Sequence, residues 1–230
     1  MIAVVDYGRG NLGSVEKAFV RVGVPTVVTQ DARVLDDADA VVLPGDGAFH
    51  DAMASLRRLG LLDALHRAFD GRRPFLGICL GYQLLFSRSE EFGEGRGLDV
   101  VPGVVRRFPS GRKIPHMGWN RVTPDPGFRL FEGIPAGAHF YFVHSYFVAS
   151  SASADGTPGA GMSPQRDGNG TPERASDGDL RWAWCEYGIR FAAAVQRGAI
   201  AATQFHPEKS QRWGLRMLEN FAAMVKGAAR

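Results

Sequence analysis

Cysteine is scarce: Cys79 and Cys185 are the only two in a chain of 230 residues. Secreted disulfide frameworks carry several cysteines in much shorter chains, so a disulfide scaffold is excluded and a reducing compartment is expected. No apolar run approaches the length of a membrane span. The segment Met1-Ile2-Ala3-Val4-Val5-Asp6 lacks the basic stretch and small-residue cleavage site of a leader, which predicts a cytoplasmic protein without a membrane partner. A basic block is also missing. The 27 Lys and Arg stand against 24 Asp and Glu, dispersed and leaving a net charge of +3, so no nucleic-acid partner is expected. What remains is 45% hydrophobic and 22% charged, an ordinary globular composition long enough to bury a core without staples.

The first half alternates short β-branched runs with amphipathic stretches, the pattern of βαβ units around a buried parallel sheet. Strands are predicted over 2–5, 24–29, 40–43 and 74–78, with helices over 11–22, within 48–69 and over 82–86. The second half reads as strands over 100–105, 140–148, 182–185, 191–195 and 199–203 joined by short turns, which implies antiparallel pairing, and as a closing helix over 212–226. The predicted fold is therefore α/β: a mixed, mainly parallel central sheet flanked by helices, with an antiparallel second-half extension, in a single domain over 1–230. Residues 150–180 stand apart. They contain six Gly, five Ser and three Pro, with Met162 and Leu180 as the only large apolar side chains, and predict a flexible insertion between two strands.

Gly8-Arg9-Gly10-Asn11-Leu12-Gly13 is formally a G-x-G-x-x-G between a strand and a helix, with Asp31 near the distance of a ribose-binding acid. It fits a dinucleotide-binding or regulatory module. It fits better a glycine turn that packs a helix closely and binds nothing, and the residues that follow favour that reading further.

Gly77-Ile78-Cys79-Leu80-Gly81 places a thiol at a strand-to-helix junction with glycine two residues away on either side, the cysteine form of a nucleophile elbow. A sharp turn of this kind strains the nucleophile's backbone and leaves no room for flanking side chains. The following helix start favours the thiolate, and the Leu80 N–H is placed to serve an oxyanion. Cys185, between Trp184 and Glu186, lacks these features and reads as an inert buried thiol. Of six histidines, only His206 has an orienting acid built in: Pro207 favours extended geometry before it, so Glu208 projects to the same side and holds one ring nitrogen. Cys79, His206 and Glu208 then form a triad of nucleophile, base and orienting acid. Gly45-Asp46-Gly47 lies at the end of a predicted strand, where two glycines would let a peptide reorient and supply a second oxyanion N–H.

The elbow with Gly81-Tyr82-Gln83, together with His206-Pro207-Glu208, resembles the class I, or triad, glutamine amidotransferases, flavodoxin-like α/β proteins. The blocks 6–12, 44–49, 113–120, 141–146 and 204–210 narrow the likeness to the glutaminase subunits of imidazole glycerol phosphate synthases. Lys113-Ile114-Pro115-His116-Met117-Gly118-Trp119-Asn120 is the most discriminating. The resemblance implies that Cys79 attacks the glutamine amide, His206 moves the proton and Glu208 orients it. It further implies that Gln83, Ser145 and Tyr146 bind glutamine and that Gly45, Asp46 and Gly47 form the oxyanion strand. It implies no cofactor and no metal. The implied partner is a (β/α)8-barrel cyclase subunit in a heterodimer, met through Trp119 and Arg197, which on their own read equally as an aromatic core residue and a solvated cation. Two departures stand out. Asp46 replaces an apolar or neutral residue and is expected to point outward, and the connection over 150–180 is longer than usual in the family. An amidotransferase serving another acceptor is the alternative.

Overall fold

The structure is a computed structural model and describes residues 1–70, 72–149 and 180–228. The first half runs β1 (Ile2–Val5), α1 (Leu12–Arg21), β2 (Thr26–Thr29), α2 (Ala32–Asp37), β3 (Ala40–Leu43), α3 (Phe49–Arg58), α4 (Leu62–Ala68), β4 (Phe75–Ile78) and α5 (Leu80–Leu84). The second half continues with β5 (Phe86–Ser89), β6 (Gly95–Arg96), β7 (Val101–Arg107), β8 (His116–Pro124), β9 (Ala138–His144), β10 (Tyr146–Ala149), β11 (Leu180–Glu186), β12 (Arg190–Arg197), β13 (Ile200–Thr203) and α6 (Gln211–Ala228). The α2 helix and the β5, β6 and β8 strands were not expected from the sequence. The short α2 carries only one buried residue, Leu35, and offers no periodicity to read.

β1, β3 and β4 are buried at every residue, which is why they read as unbroken apolar runs. Helices pack their apolar faces on this sheet. In α1, Val15, Ala18 and Phe19 fall at helical spacing and are buried, and the Asn11 side chain caps the first turn through the Ser14 N–H.

The strand order β2-β1-β3-β4-β13 is parallel throughout, and β12, β10, β7, β5 and β6 follow. Beyond β13 the pairing becomes antiparallel at β12–β13, β10–β12 and β7–β10, with β5–β7 a parallel exception. The β8–β9 hairpin hangs on β11. The single strand expected over 140–148 is two strands, broken at Ser145: β9 pairs with β8, whereas β10 pairs with β7 and β12. A run of aromatic and β-branched residues signals strand but not which neighbours it will find. The insertion expected over 150–180 lies, apart from Leu180, outside the described residues. Among the described residues no helix is long and apolar enough to cross a membrane.

Candidate active site

The loops after β1, β3, β4 and β13 meet at the carboxyl edge of the parallel strands, where open α/β sheets hold their ligands. Cys79 follows β4 with φ 55° and ψ −103°, left-handed for a residue that carries a side chain. Such a conformation costs on the order of 1–3 kcal/mol and persists only where its surroundings impose it. Here the Cys79 N–H donates to the Thr203 carbonyl at 2.8 Å, and the Cys79 carbonyl accepts from the Gln83 N–H at 3.2 Å. Both flanking glycines are steric necessities: a Cβ on Gly81 would run into the Leu43 carbonyl oxygen, and one on Gly77 would stand 2.8 Å from the Gly81 oxygen.

The thiol lines a cleft of about 440 Å³ that also contains His206 and Glu208. The His206 N–H donates to the Tyr141 carbonyl at 2.9 Å, which ties the residue to β9. Its Nδ1 meets Glu208 Oε1 at 2.8 Å, with the two side chains 8% and 3% exposed. His206 itself is extended, as Pro207 requires, but Glu208 reaches it from a 3-10 turn over Pro207–Lys209 and not from an extended run. Nε2 is buried without a hydrogen bond and has the Cys79 thiol beside it, a contact that tightens in such sites once substrate is bound. Burial lowers the imidazole pKa, but the Cys79 thiolate and Glu208 outweigh it and push His206 up to about 10. The arrangement therefore favours the protonated imidazole. Cys185 is the contrast: burial pushes its thiol up to about 12.

Gly45, Asp46, Gly47, Leu80, Gln83, Ser145 and Tyr146 all line the same cleft. Gln83 Nε2 donates to the Tyr146 carbonyl at 3.1 Å and to Gln204 Oε1 at 2.9 Å, and Gln204 Nε2 approaches Cys79 Sγ at 3.8 Å. The expected oxyanion donor is occupied, because the Leu80 N–H donates to the Gly45 carbonyl at 3.3 Å. Asp46 is exposed, and its Oδ1 accepts from the Gly10 N–H at 3.0 Å.

Sequence reasoning missed Gln204, Glu91 and the wall formed by His144. Glu91 lines the cleft with one oxygen on the Phe49 N–H at 2.7 Å, an anion suited to an ammonium group. His144 Nδ1 faces the Tyr146 carbonyl at 2.7 Å and so carries the proton. Its Nε2 then accepts from His116 Nδ1 at 3.0 Å, and Asn120 Nδ2 donates to His116 Nε2 at 3.2 Å. Burial holds both rings neutral, pushing His116 down to about 4 and His144 to about 3. No spacing rule announces these groups, since each is assembled by strand pairing.

Trp119 and Arg197 lie outside the cleft and apart from each other. Trp119 is 46% exposed on β8 and pairs in register with Tyr141, whose carbonyl holds His206. Arg197 precedes β13, at the opposite edge of the sheet from Cys79, with its guanidinium on the Val100 carbonyl at 2.9 Å. Trp119 thus borders the Tyr141–His206 side of the site, whereas Arg197 lies at the amino edge of the parallel strands. The glycine turn is also already in use: carboxylates of Asp6 and Asp46 take the Gly8 and Gly10 N–H groups at 2.9 and 3.0 Å. A pyrophosphate would have to displace two anions, which removes the dinucleotide reading.

The family model of the class-I glutamine amidotransferases matches residues 3–225. The chain is 48% identical over 228 residues to the imidazole glycerol phosphate synthase subunit HisH of Moorella thermoacetica, covering 99% of this chain and 96% of that protein. It is 45% identical to the subunit of the same name from Syntrophotalea carbinolica, covering 97% and 100%. Solved structures share the fold at low identity. PurLQS from Thermotoga maritima matches with a TM-score of 0.66 at 16% identity, covering 100% of this chain and 98% of that one. The glutaminase domain of Trypanosoma brucei CTPS matches at 0.62 and 16%, covering 98% and 93%. The chain belongs to the class-I glutamine amidotransferases, among the imidazole glycerol phosphate synthase HisH subunits.

Proposed function

We infer that this chain is the glutaminase subunit of an imidazole glycerol phosphate synthase in histidine biosynthesis, hydrolysing glutamine to glutamate and ammonia for a cyclase partner. The observation that carries the chemistry is Cys79 at positive φ beside His206, whose far nitrogen bonds Glu208 at 2.8 Å. The Cys79 thiolate attacks the side-chain amide carbon, a C–S bond forms and the amide oxygen takes the negative charge. The His206 imidazolium gives its proton to the departing nitrogen, so the C–N bond breaks to release ammonia and leave a glutamyl thioester. Neutral His206 then takes a proton from water, the hydroxide adds to the thioester, and C–S cleavage returns the thiolate and glutamate. Glu208 fixes the ring orientation throughout. Gln83, Ser145 and Tyr146 border the amide, and Glu91 faces the substrate ammonium.

The oxyanion needs donors, and the Leu80 N–H is held by the Gly45 carbonyl. Turning the Gly45–Asp46 peptide over removes that carbonyl and presents the Asp46 N–H, completing a pair of donors. This supports a subunit whose glutaminase is switched on by its partner. Ammonia free in neutral water is mostly protonated and no longer nucleophilic, so it is passed directly to the cyclase. That subunit, a (β/α)8 barrel in a heterodimer with this chain, uses the ammonia on a phosphoribulosyl-formimino carboxamide nucleotide and forms imidazole glycerol phosphate and aminoimidazole carboxamide ribonucleotide. The test is glutamate release by the chain alone, with a cyclase subunit, and with cyclase plus its nucleotide. Strong stimulation by the nucleotide complex, abolished by Cys79→Ala, is expected; full activity without the partner would overturn the subunit reading.

A further inference from the structure

Gly45 is buried, and its carbonyl accepts a hydrogen bond from the Leu80 N–H. If that N–H is to serve an oxyanion, the displaced carbonyl must find another donor, because a buried carbonyl left unpaired costs as much as the hydrogen bond it lost. Tyr7, the second residue beyond β1, is 1% exposed, and its hydroxyl is buried without a hydrogen-bond partner among the described residues. That hydroxyl lies against Gly45, where a Cβ would collide with it and would stand 3.1 Å from Leu80 Cβ. One orphaned donor therefore touches the residue whose carbonyl is about to lose its own. Burial, with the Cys79 and Asp46 charges, raises the phenol well above its ordinary range despite Arg9, so it keeps its proton and acts as a donor at any working pH.

We propose that Tyr7 is a positioning residue for the oxyanion strand, its hydroxyl taking over the Gly45 carbonyl when the Gly45–Asp46 peptide turns and frees the Leu80 N–H. In this role it acts through the peptide and touches neither glutamine nor the thiol. The buried hydroxyl is unpaired in the resting arrangement and paired in the active one, which biases the peptide toward turning. The proposal rests on the glutaminase reading above.

The test uses the complex with the cyclase subunit and its nucleotide, comparing wild type with Tyr7→Phe, which keeps the ring and removes only the hydroxyl. Glutamine kcat is expected to fall about tenfold or more with KM within twofold of wild type. Alkylation of Cys79 by iodoacetamide, which develops no oxyanion on a carbonyl, should proceed at the wild-type rate. The melting temperature should hold or rise, because the variant removes an unpaired buried group. A kcat within twofold of wild type overturns the proposal, and so does a change confined to KM, which would make the hydroxyl a substrate contact. A joint fall of kcat, alkylation rate and melting temperature also overturns it, since that pattern belongs to packing. If wild type in the complex releases no glutamate, the glutaminase reading fails and this proposal with it; if wild type is active and Tyr7→Phe equals it, only the role of Tyr7 fails.

Discussion

His206 shows how much a single residue depends on two neighbours of opposite provenance. Glu208 is two positions away in the chain, whereas Cys79 arrives from the other half of the molecule, and both raise the imidazole against its burial. Glu208→Gln keeps the shape but removes the charge, and kcat for glutamine is expected to drop roughly 10²- to 10⁴-fold, measured as glutamate release in the complex. The same substitution has a pH signature. A histidine raised from 6.5 to about 10 on folding contributes stability that is fully present below pH 6.5 and is lost as pH climbs through about 10. Thermal melting of wild type should therefore decline between those limits, and the decline should be shallower in Glu208→Gln. Equal slopes would mean that the carboxylate does not hold the ring in its charged form.

At the scale of elements, two glycines of similar appearance in the sequence behave oppositely. Gly81, in the first turn of α5, has the Leu43 carbonyl oxygen where its Cβ would be, and a strand carbonyl cannot yield. Gly81→Ala should cost about 3 kcal/mol or more, read from chemical denaturation, and should disturb the elbow with it. Gly13 lies in α1 with open space around it and no left-handed φ. Gly13→Ala is expected to be neutral or to stabilise by about 0.4–1 kcal/mol through helix propensity and a less mobile unfolded chain. A large loss at Gly13 would mean that the glycine turn has a role beyond seating the Asp46 loop. The formal motif at 8–13 thus divides: Gly10 lies against Gly45 and receives the Asp46 carboxylate, while Gly13 has no close neighbour.

Across the whole molecule, the placement of β13 matters most. It pairs antiparallel with β12 and parallel with β4, so the last strand in the chain is inserted beside the strand that leads into Cys79. The register Thr203↔Ile78 then sets Cys79 and His206 at the same edge. That edge continues over the β8–β9 hairpin to Trp119, while Arg197 faces the other way. For a cyclase docked over the cleft mouth, Trp119→Ala is expected to weaken the complex by about 2 kcal/mol or more, as a buried aromatic anchor does. Arg197→Ala should change affinity by less than about 0.5 kcal/mol. Titration calorimetry of the two subunits distinguishes the two sites, and the reverse ranking would place the partner at the opposite edge of the sheet.

The strained elbow at Cys79 with its flanking glycines, the contact of His206 with Glu208 and the parallel core were legible in the sequence, because each follows from local chemistry. A buried strand must be apolar, an elbow must lack side chains at two positions, and a base needs an orienting group within a turn. Tertiary structure decided what depends on distant partners. The break at Ser145 follows from which strands β9 and β10 find, and the occupied Leu80 N–H follows from where the β3 loop comes to rest. The neutral His116–His144 pair, the cleft-facing Glu91 and the orphaned Tyr7 hydroxyl exist only because separate strands converge. A sequence specifies which groups are able to donate, accept or attack; which of them meet, and which are left unpaired, is set by the register and order of strands far apart in the chain.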